Sequence, residues 1–62
     1  MTLDQEYVAA FTTAYPQKKV EVLRKFNRQG QLRGFQVSID GDKGDMLLSV
    51  DDMRFAIRNF RR

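Results

Sequence analysis

The stretch KVEVLRKFNRQGQLRGFQVSID, residues 19–40, alternates apolar and polar side chains on both sides of a polar turn, and this pattern decides the architecture of the chain. A period of two marks a strand with one buried face. On the first arm Val20, Val22 and Phe26 share a face that Arg24 interrupts, while Lys19, Glu21, Leu23 and Lys25 share the other. On the return arm Phe35, Val37 and Ile39 point one way and Gln36, Ser38 and Asp40 the other, as in an antiparallel strand wetted on one side. Residues Asn27 to Gln31 join the arms, with Gly30 available for positive φ. On this reading Phe26 joins Val20 and Val22 in the core, and a buried Arg24 requires a carboxylate or carbonyl from another element.

Downstream of the hairpin, Asp40-Gly41-Asp42-Lys43-Gly44-Asp45 is rich in turn formers, so Met46, Leu47 and Leu48 are predicted to return as a third antiparallel strand. Two helices flank this meander. Thr2 and Gln5 have capping-box spacing, acidic Asp4 and Glu6 favour the helix start, and Leu3, Tyr7, Ala10, Phe11 and Ala14 fall on one stripe up to Pro16. Ser49 and Asp52 repeat the capping pattern before a helix reaching about Phe60. On its wheel Val50, Ala56, Ile57 and Phe60 gather within roughly 60° of Met53, and Phe55 lies at roughly 200°, in the sector of Arg58 and Arg62. The predicted fold is α+β: helix, three-stranded antiparallel meander, helix, with both helices packed on one face of the sheet and one small domain over residues 1–62.

Composition narrows the chemistry. The 62 residues include neither cysteine nor histidine, which removes disulfides, thiolate nucleophiles, imidazole bases and the usual zinc ligands. No glycine loop resembles a phosphate cradle and so small a domain offers little concavity, so the expectation is a non-enzymatic protein with no catalytic residues, no cofactor and no metal. Asp40, Asp42 and Asp45 have a distant likeness to a calcium loop, but its sixth position is Asp45 rather than glycine and its twelfth is Asp51 rather than glutamate. They read as turn formers. The sequence has no secretory leader pattern and no apolar run long enough to span a bilayer, so a cytoplasmic protein without a membrane partner is expected.

Charge is the most function-like feature. Residues 17–35 carry Lys18, Lys19, Arg24, Lys25, Arg28 and Arg33 against Glu21, while residues 36–53 carry five aspartates against Lys43, and the total of +3 hides this split. A segregated basic surface is the electrostatic footprint of nucleic-acid binding, and the six basic residues are the candidate phosphate contacts. Lysines on a strand also protect an edge from unwanted pairing, an equally weighted account. Arg54, Arg58, Arg61 and Arg62 extend the positive character, although the helix dipole alone favours cations there. Phe55 with Arg58 is the candidate protein interface, because an apolar side chain opposite the core stripe finds burial in a partner or second subunit.

The stretch Val20 to Phe26 with Gly30, and Gly44 to Ser49 before a helix, resembles the positive-coactivator family of single-strand binders, with the proline and glycine between those blocks missing and Phe35 to Asp40 added. The same region is similar to the arm-type DNA-binding domain of tyrosine integrases, which has no obligatory leading helix such as residues 3–15. The first resemblance implies single-strand binding, and the second implies a three-stranded sheet presented to the major groove with a helix behind it. The expected function is therefore a small nucleic-acid-binding or regulatory protein using a basic hairpin. The alternative is a protein-interaction module of the compact phage or mobile-element type, docking an acidic partner or forming a homodimer through its sheet face or Phe55.

Overall fold

The computed structural model describes all 62 residues and has the element order α1 (Leu3–Ala14), β1 (Val20–Phe26), β2 (Leu32–Ile39), β3 (Asp42–Lys43) and α2 (Val50–Phe60). Both helices begin as the capping pattern dictates. The Gln5 amide donates to Thr2 Oγ1 at 3.3 Å and the Thr2 amide to Gln5 Oε1 at 3.0 Å. The Asp52 amide donates to Ser49 Oγ at 3.1 Å and the Ser49 amide to Asp52 Oδ2 at 3.0 Å. Each box satisfies two amides that a helix start otherwise leaves unpaired. Helix α1 stops at Ala14, two residues before the proline, where the Tyr15 amide still reaches Phe11 O at 2.7 Å.

The sheet is antiparallel with order β1-β2-β3, so β2 is central. Val20 faces Ile39, Val22 faces Val37 and Arg24 faces Phe35, and the register slips between Lys25 and Phe26, where Arg33 is the extra residue of a bulge. The predicted third strand is displaced. Asp40 and Gly41 form a two-residue turn with φ of 53° and 86°, the positive pair that a type I′ hairpin requires. Strand β3 therefore begins at once, pairing Asp42 with Ile39 and Lys43 with Ser38. Met46 and Leu47 form no ladder, and only Leu48 returns, through a single antiparallel bridge to Phe35.

One core joins the layers: Tyr7, Ala10 and Phe11 from α1, Val20 from β1, Phe35 from β2, and Met53 and Ile57 from α2. Met53 is completely buried, and Phe60 closes the end of the core edge-on against Tyr7 and Phe11, each at 5.4 Å. Three expected core residues are exposed instead. Phe26 is 57% exposed because it lies beyond the reach of the helix layer. Val50 sits exposed in the first turn of α2, and Ala14 is exposed at the end of α1.

Gly34 is required by a close approach. A Cβ there would lie 2.9 Å from the Leu48 carbonyl oxygen, the same oxygen that accepts the Phe35 amide at 2.8 Å. Gly34→Ala is expected to destabilise the protein by about 1–3 kcal/mol through overpacking against backbone, read as a lower urea midpoint. An unchanged midpoint would mean that the Leu48 segment moves aside freely.

Candidate nucleic-acid interface

The six basic residues of the hairpin separate into two groups, structural and free. Arg24 points to the helix side, where its Nε and Nη2 donate to Asp4 Oδ2 and Oδ1, both at 3.1 Å. This paired geometry is the strongest that a guanidinium and a carboxylate form, and it supplies the carboxylate partner that the position demands. It holds the Asp4 carboxyl at about 2, below its ordinary 3.8, and raises Arg24. Lys18 is the second structural cation, with Nζ 3.5 Å from Asp40 Oδ2. The Asp40 carboxyl lies below its usual range, first because Oδ1 accepts the Lys19 amide at 2.8 Å and then because of Lys18.

Lys19, Lys25, Arg28 and Arg33 have no carboxylate partner. Arg28 occupies the hairpin tip, a three-residue loop Arg28-Gln29-Gly30 closed by the Asn27 amide on Gln31 O at 2.8 Å. Asn27 Oδ1 also accepts the amides of Gln29 and Gln31, each at 2.9 Å, and Gly30 takes φ of 80°. The tip is thus braced by one asparagine. Lys25 stands on the outer face opposite Gly34, with Arg33 beside it at the bulge. Phe26 and its register partner Leu32 are both exposed, which places this end of the hairpin clear of the helices.

The outer face gains a lysine that the charge count hid. Lys43 lies in the acidic block by sequence, but its pairing with Ser38 sets it on the far side of Ser38 from Glu21, on the face of Lys19 and Lys25. The Asp-Gly turn signal, read as a two-residue loop, would have revealed that register. Gln36 is less free than its alternation implied, because Nε2 donates to Gly44 O at 3.1 Å, which removes it as a ready reader of base edges.

Helix α2 supplies a second basic surface. Arg54, Arg58, Arg61 and Arg62 line an open concavity of about 470 Å3 with Ile57 and a single acid, Glu6 of α1. None of the four arginines makes an ion pair. Phe55 is 62% exposed on the same helix, with Arg58 one turn on and also exposed. The largest groove, about 560 Å3, lies elsewhere, between α1 and the β2–β3 end. Tyr7, Val37, Ile39, Met46 and Leu48 contribute its apolar lining, and Lys18, Lys43 and three aspartates its charged groups. Mixed charge makes it a poor phosphate site.

No protein-family model, no curated protein and no solved structure matches the chain. The two family resemblances of the hairpin therefore carry no argument beyond the surface itself.

The Asp4–Arg24 pair generates a pH prediction. Asp4 has a depressed folded pKa, so its contribution is fully present above about pH 4 and is lost as pH falls through about 2. Asp4→Asn should lower stability at neutral pH and flatten the stability profile between those limits, measured by thermal melts. An unchanged acid limb would show that the pair does not couple to folding.

Proposed function

We propose that this protein binds nucleic acid without catalysing a reaction, placing the β1–β2 hairpin end against the phosphate backbone. The observation that carries this reading is the division of its cations. Of eleven lysines and arginines, two are held by aspartates, which leaves nine without an ion-pair partner. Three of these nine, Lys25, Arg28 and Arg33, converge on a braced tip that stands clear of the helix layer. Phosphate contacts need cations that are not already neutralised, and a two-stranded ribbon fits the major groove of duplex DNA. Lys19 and Lys43 extend the contact across the outer face, while Arg24 and Lys18 serve the fold.

Fluorescence anisotropy with labelled duplex and single-stranded probes, at about 50 and about 200 mM salt, tests the reading. Binding should weaken steeply with salt, and Arg28→Gln with Arg33→Gln should flatten the logarithmic slope by roughly one per lost duplex contact. Absence of binding at the lower salt, or an unchanged slope, would overturn it.

The exposure of Phe55 beside Arg54 and Arg58 favours a second reading, docking of an acidic protein on α2. Under it, Phe55→Ser loses a partner that wild-type protein captures by at least about tenfold, a hot-spot effect. The Arg28→Gln, Arg33→Gln protein would retain that partner. Equal capture by all three proteins would remove Phe55 from the argument.

A further inference from the structure

Strand β1 is an edge strand whose outward backbone groups meet nothing in the protein. Backbone geometry identifies which ones they are. The Asp40 amide donates to Lys19 O at 2.7 Å and the Asn27 amide to Gln31 O at 2.8 Å, so odd-numbered residues of this stretch turn toward β2. On the other side of β2, Phe35 exchanges both its bonds with Leu48, and Val37 O accepts the Gly44 amide. Both observations give the same parity, because Phe35 and Val37 face Arg24 and Val22 across the wide pairs. The amides and carbonyls of Val20, Val22, Arg24 and Phe26 therefore point to the open edge.

We propose that this edge pairs antiparallel with β1 of a second copy of the chain, around a two-fold axis at Leu23, to form one continuous six-stranded sheet. Ladder parity permits only registers in which even residues face even residues. With the axis at Val22, Lys19 would oppose the partner's Lys25. Like charges directly opposite destabilise a pair of strands. With the axis at Arg24, Glu21 would oppose the partner's Asn27 and Lys25 the partner's Leu23, so no ion pair forms on the outer face. With the axis at Leu23, Glu21 opposes the partner's Lys25 and Lys25 opposes the partner's Glu21, both on the outer face. Leu23 then meets the partner's Leu23 in a close, wide-ladder pair. Val22 exchanges hydrogen bonds with the partner's Arg24, and exposed Phe26 comes to lie opposite the partner's Val20.

The sequence VEVLRKF is thus complementary to itself in one register and in neither of its neighbours. Charges on an edge strand turn away foreign strands, and here the same charges select a copy of the chain. A shallow groove of about 290 Å3 lined by Asp4, Gln5, Val8, Ala9 and Val22 runs where α1 meets this strand, which leaves space beside the edge for the incoming subunit. The test contains no nucleic acid; in the dimer Lys25 is paired with the partner's Glu21, which leaves Arg28 and Arg33 as the unpaired cations of the tip.

Sedimentation equilibrium of the wild-type protein up to the millimolar range should show a reversible dimer. Glu21→Lys and Lys25→Glu, each alone, replace two attractive pairs with two repulsive ones and should weaken the dimer by about tenfold or more. An equimolar mixture of these two proteins should form a heterodimer, because every opposed pair is then of unlike charge, and the double swap in one chain should restore the homodimer. On unmodified protein, amide exchange at Val22 and Arg24 should slow as concentration rises. A wild-type monomer throughout, single swaps that dimerise like wild type, or concentration-independent exchange at Val22 and Arg24 would overturn the proposal.

Discussion

Phe35 is the position through which the parts of this small protein are connected. Its side chain is buried between the helices and the sheet, and its amide and carbonyl exchange hydrogen bonds of 2.8 Å with Leu48. Leu48 directly precedes Ser49, the residue that caps α2. The two bonds therefore fix where the second helix begins, and Gly34 makes the approach sterically allowed. A displaced Leu48 segment would shift α2 against α1, and with it Met53, Ile57 and Phe60. In a chain of this length, with a single apolar layer, no second core exists to absorb such a shift.

Much of this was legible in the sequence. Both capping boxes, the hairpin and the order of elements follow from side-chain period and from cap chemistry, which act over three or four residues. What the sequence concealed depends on contacts between distant positions. Arg24 finds Asp4, twenty residues away, because α1 starts above that end of β1, and no spacing rule expresses this. Phe26 reads as core by alternation but lies past the Arg24–Asp4 pair, where the helix layer ends. The third strand lies earlier than its hydrophobicity implies, because Met46 to Leu48 reads as a strand by composition whereas backbone pairing at Asp42 and Lys43 needs no apolar side chain. For the candidate interface, the sequence named the cations but not which were already neutralised.

That neutralisation has a logic. Asp40 holds Lys18 and the Lys19 amide at the start of β1, and Asp4 holds Arg24 near its end. The two aspartates fasten one strand to β2 and to α1, respectively. Exposed ion pairs contribute little to stability, but these two act at the ends of an edge strand, where fraying begins. Spending cations on the strand's ends leaves the tip residues Lys25, Arg28 and Arg33 unmatched. Net charge within the hairpin is therefore less informative than its distribution: of its cations without a carboxylate partner, Lys25, Arg28 and Arg33 lie at the far end and only Lys19 at the base.

The apolar balance points the same way. Seven apolar residues form the buried core, whereas nine large apolar side chains remain exposed, among them Leu23, Phe26, Leu32 and Phe55. A domain that buries fewer large apolar groups than it exposes has little stability in reserve. Any ligand that binds only the folded form raises that stability by mass action, so partner binding and folding are thermodynamically coupled in this chain. The coupling is strongest where a partner covers exposed apolar area and satisfies open backbone groups together. The open edge of β1, where exposed Leu23 and Phe26 flank the free backbone groups of Val22, Arg24 and Phe26, meets both conditions, whereas Phe55 on α2, whose backbone bonds are already made within the helix, meets only the first.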